Sequence, residues 1–295
     1  MNYITLNNGV KIPQLGYGVY QVTKDECERC VSDALKVGYR LIDTAQSYFN
    51  EEEVGLAISK SGIPREEIFL TTKVWIEHYG YDECRASVLE SMRKLQVNYL
   101  DLCLLHQPFN DVYGAYRALE DLYYEGKIRA IGISNFYTDR MIDIASFSRV
   151  KPQINQVEIH PHHQQTASKE WHDKYDIQME AWAPFGEGRG DMFTLPELEV
   201  IGNKYNKTVA QVILRWHLQR GIIVIPKSTH IERMEENLNV FDFELTDEDM
   251  SVIAALDKKQ SSFFSHTEPS MVEWFVKMVE ERKKNNDCTK EKKEW

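Results

Sequence analysis

The chain has 295 residues, of which 42% are hydrophobic, so it is long enough and apolar enough to bury a sizeable core. Its formal net charge of -11 argues against a nucleic-acid-binding surface and against adhesion to an anionic membrane. No stretch approaches 18 apolar residues, and the first residues lack a basic segment followed by an apolar run. We therefore expect neither a membrane span nor a signal peptide.

The segment order predicts a parallel barrel. The chain opens with a predicted β-hairpin around the turn Asn7-Asn8-Gly9. Strand-like and helix-like segments then alternate eight times, and several of the helices end at glycine. The predicted strands lie, in chain order, in LGYGVYQ, YRLIDT, IFLTTKVW, DLCLLH, IRAIGISN, QINQVEI, IQMEAWAP and IIVIPKS. The predicted fold class is α/β, a (β/α)8 TIM barrel with an N-terminal β-hairpin and extra C-terminal helices.

The end of the chain predicts two added helices and a tail. The segment LTDEDMSVIAALD predicts a helix with Thr246 as N-cap and Asp249 as its capping-box partner. The segment EPSMVEWFVKMVEERKK predicts the last helix. Between IQMEAWAP and the helix in TVAQVILRWHLQRG we expect an irregular stretch. We predict one domain over residues 1–280, followed by a charged, disordered tail over residues 281–295.

The cysteines indicate a reducing compartment. Their number, five, is odd and they are widely scattered, which suits unpaired thiols in a cytoplasmic protein. Cys27 and Cys30 form a C-x-x-C pair, but they lie in a segment with helical periodicity. We therefore interpret them as cysteines on a helix surface, in preference to a redox pair.

Glycine-rich phosphate loops are absent from the sequence. Gly16 and Gly18 are not followed by the third glycine of a G-x-G-x-x-G motif, and no G-x-x-x-x-G-K-[ST] motif occurs. A nucleotide would therefore have to be held by other groups.

Four polar residues lie close to the ends of successive apolar runs: Asp43, Tyr48, Lys73 and His106. A parallel barrel brings such strand ends to one rim. A lysine cation favours a phenolate and is expected to lower the pKa of the tyrosine, an aspartate holds the lysine, and an imidazole orients a carbonyl. Each residue alone has a structural interpretation as a strand-end residue, but together they predict a site that protonates a carbonyl oxygen.

The segments DTAQSYFNEEEVG, TTKVW, LLHQP, GISNF, INQVEIHP and IPKSTHIERMEEN resemble those of the aldo-keto reductase superfamily, in the same order and spacing. The short C-terminal region is similar to that of bacterial members such as the 2,5-diketo-gluconate reductases. The resemblance implies a (β/α)8 barrel that binds NADPH without a Rossmann fold and reduces carbonyls to alcohols. It also implies that Tyr48 is the general acid, that Lys73 tunes it, that Asp43 pairs with Lys73 and that His106 orients the carbonyl.

The resemblance further implies a cofactor site with two parts. Ser134, Asn135 and Gln156 would hydrogen-bond the nicotinamide carboxamide, and Trp182 would stack on the ring where tyrosine is common in the family. Lys227, Ser228 and Arg233 would hold the 2′-phosphate, and Glu236 and Asn237 would meet the adenine. The alternative interpretation of the five residues from Lys227 to Asn237 is that they form the ordinary charged start of a helix without a ligand.

Candidates for the substrate side are Trp75, Gln107, Phe263 and Phe264. The two phenylalanines either cover the pocket mouth or pack on the barrel. The run His160-Pro161-His162-His163 suggests a metal, but no carboxylate or cysteine completes a site in sequence, and we predict none.

We therefore expect a cytoplasmic, monomeric, NADPH-dependent reductase of small aldehydes and ketones, without nucleic-acid or membrane partners. One alternative is a cofactor-binding regulatory subunit of the same fold, because fold does not fix function. A second alternative, which differs only in substrate, is a specialised prostaglandin or steroid ketone reductase.

Overall fold

The fold is a parallel (β/α)8 barrel preceded by a hairpin. The structure is a computed structural model, and it describes residues 2–291. Strands β1 (Tyr3–Thr5) and β2 (Lys11–Pro13) form the predicted antiparallel hairpin. The barrel strands are β3 (Tyr17–Gly18), β4 (Leu41–Asp43), β5 (Phe69–Val74), β6 (Leu100–Leu105), β7 (Ile128–Ser134), β8 (Ile154–Glu158), β9 (Gln178–Trp182) and β10 (Ile223–Val224). All eight predicted strands are confirmed.

Each barrel strand pairs in parallel with the next strand of the chain. The first and last strands also join, because Gly16 N donates to Val224 O at 2.8 Å and Gly18 N donates to Pro226 O at 3.1 Å. The sheet therefore closes, and the carboxyl ends of its strands form one rim.

The helices lie between and after the strands. They are α1 (Lys24–Val37), α2 (Glu51–Lys60), α3 (Tyr81–Lys94), α4 (Val112–Tyr124), α5 (Thr138–Phe147), α6 (Thr166–Tyr175), α7 (Pro196–Tyr205), α8 (Val209–Gln219), α9 (Ile231–Leu238), α10 (Asp247–Ala254) and α11 (Pro269–Glu291). The predicted capping box at the start of α10 is confirmed, since Thr246 and Asp249 exchange side-chain and backbone hydrogen bonds. Within residues 2–291, no helix is both long and apolar enough to cross a membrane.

Apolar side chains fill the N-terminal half of the barrel. Leu6 and Ile12 come from the hairpin and pack in one cluster with Leu41 of β4, Leu102 of β6 and Ile154 of β8. A side chain at Gly132 of β7 would bring its Cβ within 2.5 Å of Ile154 O, so the strands approach closely at this position. The hairpin thus covers the bottom of the barrel and leaves the polar interior positions near the opposite rim.

Two sequence expectations were wrong. Helix α7 lies inside the stretch that we expected to be irregular; Pro196 occupies its first turn, and Leu198 and Ile201 are buried. Cys27 and Cys30 are not on a helix surface, because both side chains are 0% exposed on the inner face of α1. Both thiols are free.

The chain has two compact units, of which the first ends at Ser262 and the second begins at Phe263. In the second unit the rings of Phe264 and Phe275 lie 5.9 Å apart, and α11 continues to Glu291. The expected tail, 281–295, thus falls partly on this helix, while residues 292–295 lie outside the described residues. The division into a domain over 1–280 and a tail stays a prediction.

Candidate active site

A buried ion pair lies at the carboxyl end of β4 and β5. Lys73 Nζ donates to Asp43 Oδ1 at 2.5 Å, to Thr44 O at 3.0 Å and to Tyr48 Oη at 3.3 Å. The side chain of Lys73 is 0% exposed and that of Asp43 is 2% exposed. Tyr48 ends a short 3-10 helix, Gln46–Tyr48, that follows β4. Strand ends therefore bring three of the predicted catalytic residues within hydrogen-bonding distance.

The pKa values of this group follow from burial and charge. Burial alone would lower the pKa of Lys73, but contact with the Asp43 carboxylate raises it above its usual value, so Lys73 stays a cation. Burial raises the pKa of Tyr48 to about 12, although the Lys73 cation opposes this shift. The expectation of a lowered tyrosine pKa was therefore wrong in its net direction, because desolvation outweighs the lysine. Tyr48 holds its proton near neutral pH and can donate it.

His106 lies across from Tyr48, directly after β6. The two rings are 5.6 Å apart, and the ring of Trp75 is 5.0 Å from His106 in an edge-on arrangement. His106 Nδ1 lies 3.4 Å from the hydroxyl of Ser47. All four predicted catalytic side chains therefore lie together, and an imidazole and a phenol face the same space.

An amide cluster continues the site along β7, β8 and β9. Gln156 Nε2 donates to Asp43 Oδ2 at 2.9 Å and to Glu180 Oε2 at 3.0 Å. Asn135 Nδ2 donates to His106 O at 3.0 Å, and Asn135 Oδ1 accepts from Trp182 Nε1 at 2.9 Å. The hydroxyl of Ser134 donates to Gln156 O at 2.9 Å. The predicted nicotinamide residues thus form one network with the ion pair.

The predicted phosphate and adenine residues lie around the start of α9. Lys227 and Arg233 are exposed, and in the described part of the chain neither side chain forms a hydrogen bond or an ion pair. The hydroxyl of Ser228 accepts from His230 N and donates to His230 O, both at 3.1 Å. Glu236 Oε1 accepts from Thr208 Oγ1 at 2.7 Å, and Asn237 is buried. The region therefore presents two cations that other side chains do not neutralise.

The substrate candidates fall in two places. Trp75 is 6% exposed and lies beside His106, while Gln107 is 6% exposed and exchanges backbone hydrogen bonds with the hydroxyl of Tyr79. Phe263 and Phe264 belong to the second unit, in which the ring of Phe264 lies 4.8 Å from that of His266. The substrate roles of all four stay predictions.

Sequence reasoning missed three residues of the site. Glu180 is a fully buried carboxyl group in β9. The ring of Tyr20 lies 5.0 Å from that of Tyr48. Gln46 accepts from Trp75 N at 2.9 Å and so attaches the 3-10 helix to β5. A charged residue between the apolar residues Met179 and Ala181 in the strand QMEAW was the available signal for Glu180, because strand interiors rarely hold an unpaired carboxyl.

The histidine run does not form a metal site in the structure. His160 Nε2 lies 2.9 Å from Glu158 Oε1, and Ser261 Oγ donates to Glu158 Oε2 at 2.6 Å. Among the side chains that the structure describes, no group of three or more histidine, cysteine, aspartate or glutamate residues is arranged to hold a metal ion. Glu158 instead attaches the segment before residue 263 to β8, since it accepts hydrogen bonds from Ser261 Oγ and Ser262 N.

Comparisons with known proteins agree with this geometry. Residues 13–258 match the Aldo/keto reductase family. The chain is 46% identical to the glyoxal reductase of Bacillus subtilis over 87% of its length and 93% of that protein. It is 40% identical to the methylglyoxal reductase of Escherichia coli over 86% of its length and 93% of that protein. A Bombyx mori aldo-keto reductase, solved in complex with NADP, superimposes with a TM-score of 0.84 at 33% identity, covering 89% of this chain and 95% of that one.

Proposed function

The chain belongs to the aldo/keto reductase family, and from this premise we propose which residues carry the reaction and which substrates it takes. It is an NADP-dependent oxidoreductase that reduces aldehydes and ketones to alcohols. NADPH, when bound, supplies the hydride for the carbonyl carbon.

Tyr48 donates the proton to the carbonyl oxygen. The contact that supports this role is the 3.3 Å distance from Lys73 Nζ to Tyr48 Oη, because a buried cation stabilises the phenolate that proton donation leaves behind. Asp43 holds Lys73 charged and in place at 2.5 Å. The ring of His106 orients the carbonyl toward Tyr48, while Trp75 packs against His106 and limits the space beside it.

The residues present fit the cofactor. Lys227 and Arg233 are cations without protein partners in the described part of the chain, which suits a 2′-phosphate of NADPH better than an uncharged ribose. Ser228 adds a hydroxyl at the same helix start, and Glu236 and Asn237 lie farther along α9 for the adenine. Ser134, Asn135 and Gln156 supply the donors and acceptors that a carboxamide needs, and the indole of Trp182 offers a flat face for the ring.

The proposed substrates are small 1,2-dicarbonyl compounds such as glyoxal and methylglyoxal. Two relatives at 46% and 40% identity carry reductase names for these compounds. Four aromatic rings follow one another around the reacting end of the site. The ring of Tyr20 lies 5.0 Å from that of Tyr48, Tyr48 lies 5.6 Å from His106, and His106 lies 5.0 Å from Trp75, which gives a short space lined by rings.

A steady-state screen tests this choice. We expect kcat/KM with NADPH to be highest for glyoxal and methylglyoxal, compared with aldose sugars, a monoaldehyde of equal size, a quinone and a steroid ketone. Higher kcat/KM for the steroid ketone would instead support the specialised ketone reductase. Retention of NADPH without turnover of any carbonyl would support a regulatory, cofactor-binding role.

We propose further that the protein acts as a monomer in the cytoplasm. Cys27, Cys30, Cys84 and Cys103 are free and buried, which suits a reducing compartment. Light scattering coupled to size exclusion, and fractionation of cells that express the chain, test the two statements. A dimer at micromolar concentration would overturn the proposed monomer. Recovery outside the cytoplasmic fraction would overturn the proposed location.

A further inference from the structure

Glu180 is a carboxyl group inside the barrel that the reaction described above does not use. It lies in the middle of β9, opposite Gln156 of β8 and Ile223 of β10 in the strand register. Its side chain is 0% exposed. Oε2 accepts from Gln156, whereas Oε1 has no hydrogen-bond partner within residues 2–291. Because burial of a carboxyl group is strongly unfavourable, its presence here points to a role in the site.

Glu180 and Asp43 together fix the orientation of the Gln156 amide. One amide hydrogen goes to Asp43 Oδ2 at 2.9 Å and the other to Glu180 Oε2 at 3.0 Å. Rotation of the amide by half a turn would place its oxygen against the Asp43 carboxylate and lose both hydrogen bonds. The side-chain oxygen of Gln156, Oε1, receives no hydrogen bond from the described residues, so it is available as the acceptor for a carboxamide N–H group.

We propose that Glu180 is a positioning residue of the nicotinamide site, which orients Gln156 and whose charge state sets the relative affinity for oxidised and reduced cofactor. This inference rests on the proposed role of Gln156 in holding the carboxamide. The nicotinamide ring is cationic in NADP⁺ and neutral in NADPH. Only the side chain of Gln156 would separate Glu180 from the carboxamide. An ionised Glu180 therefore attracts the oxidised ring, and a protonated Glu180 does not.

Glu180 titrates in an accessible range. Burial and the charge of Asp43 raise the pKa of Glu180 to about 8, against the opposing effects of Gln156 and Lys73. The titratable groups that face it are Asp43 and Lys73, with Tyr48 and His106 beyond them. The Lys73 pKa is raised and the Tyr48 pKa is about 12, so both groups keep their protons between pH 7 and 9.

The sign of the effect follows from linkage. A cationic ring near Glu180 stabilises the carboxylate and lowers its pKa, so binding of NADP⁺ releases a proton near pH 8. The affinity for NADP⁺ therefore increases as the pH rises through this range, whereas the affinity for NADPH does not increase. A lowering of the Glu180 pKa by one unit corresponds to a tenfold change in the ratio of the two dissociation constants.

The experiment measures the dissociation constants of NADP⁺ and NADPH by protein fluorescence between pH 7 and 9.5. Their ratio cancels the titration of the 2′-phosphate, which both forms carry. In the parent we expect Kd(NADP⁺)/Kd(NADPH) to fall by about threefold or more across this range. In Glu180→Gln, which keeps a carbonyl acceptor for Gln156 but cannot ionise, the ratio should stay constant.

Glu51→Gln is the matched control. Glu51 is also a buried carboxyl group with a raised pKa, chiefly through burial, but it accepts from Thr72 Oγ1 at 2.7 Å and has no hydrogen bond to Gln156. Its variant should show the parent's pH dependence. Calorimetry of NADP⁺ binding to the parent at pH 8, in two buffers of different protonation enthalpy, measures the released proton without any variant.

A constant ratio in the parent, or no proton release, would overturn the inference while NADPH-dependent reduction of glyoxal stayed intact. The same pH dependence in Glu180→Gln as in the parent would also overturn it. A parent that bound cofactor with the expected pH dependence but reduced no carbonyl would contradict the proposed function and leave the role of Glu180 standing.

Discussion

Replacement of Asp43 by asparagine removes the charge that compensates Lys73 while it preserves the shape of the side chain. In the variant, Lys73, which is 0% exposed, keeps Thr44 O, Tyr48 Oη and the neutral amide oxygen of the new asparagine within reach, but it has no anionic hydrogen-bond partner. Removing one partner of a buried ion pair destabilises a protein by about 3–5 kcal/mol, because the other charge stays buried and unpaired. We expect this loss in the free energy of unfolding of Asp43→Asn.

The loss converts into a shift of the melting temperature. With about 2.1 cal/mol/K of unfolding entropy per residue, a chain of 295 residues has about 0.6 kcal/mol/K in total. A loss of about 3–5 kcal/mol therefore lowers Tm by about 5–8 °C. Urea titration and thermal melting of parent and variant measure both quantities.

A double-mutant cycle separates the charge effect from a general loss of packing. Lys73→Met alone leaves Asp43 unpaired, whereas Asp43→Asn with Lys73→Met removes both charges, so the double variant should be more stable than the sum of the single losses predicts. Glu28→Gln is the control, because Glu28 pairs with Lys60 at 2.7 Å on the surface, where such pairs contribute about 1 kcal/mol or less. If the loss in the double variant equalled the sum of the two single losses within about 0.5 kcal/mol, the coupling between Asp43 and Lys73 would be refuted.

Three further outcomes are expected. Tyr48→Phe should lower single-turnover reduction by about 10²–10⁴-fold and leave NADPH binding by fluorescence nearly intact; a loss under about threefold would exclude Tyr48 as the acid. Arg233→Ala should weaken NADPH binding by about tenfold or more, reduce its salt dependence and spare NADH binding; equal losses for both cofactors would assign Arg233 to the fold alone. Burial holds the pKa of His172 below its usual value, so the unfolded chain takes up this proton first and stability falls as the pH drops below about 6.5. His172→Gln should therefore lose less stability between pH 6.5 and 5 in urea titrations, and a slope equal to the parent's would contradict this reasoning.

Much of the barrel could be predicted because its strands are short apolar runs with polar residues at their carboxyl ends. Asp43 and His106 are found this way, since parallel strands bring such positions to one rim. Helix α7 could not be predicted, because its first residues, PELEV, carry proline beside few apolar positions, and its buried face is only Leu198, Ile201 and Gly202.

Burial was harder to predict than position. The pattern of charged residues around Cys27 and Cys30 suggested an exposed helix face, yet both lie on the face that packs inward. The net pKa of Tyr48 depends on the balance between desolvation and the Lys73 charge, and sequence spacing provides only the second of these. Glu180 was missed for the same reason, because its significance comes from Gln156 and Asp43, which lie on other strands.

Closure of the sheet has a consequence for how the chain is made. The pairing of Gly16 with Val224 and the bond from Gln14 Nε2 to Leu218 O connect segments that are more than 200 residues apart in sequence. During synthesis, the edge of β3 that faces away from β4 therefore has no partner until β10 has left the ribosome. Contacts of such separation also slow folding, and open strand edges pair with other chains. A nascent chain that stalls before residue 223 should thus need a chaperone, although Asp43, Lys73 and His106 have already been synthesised.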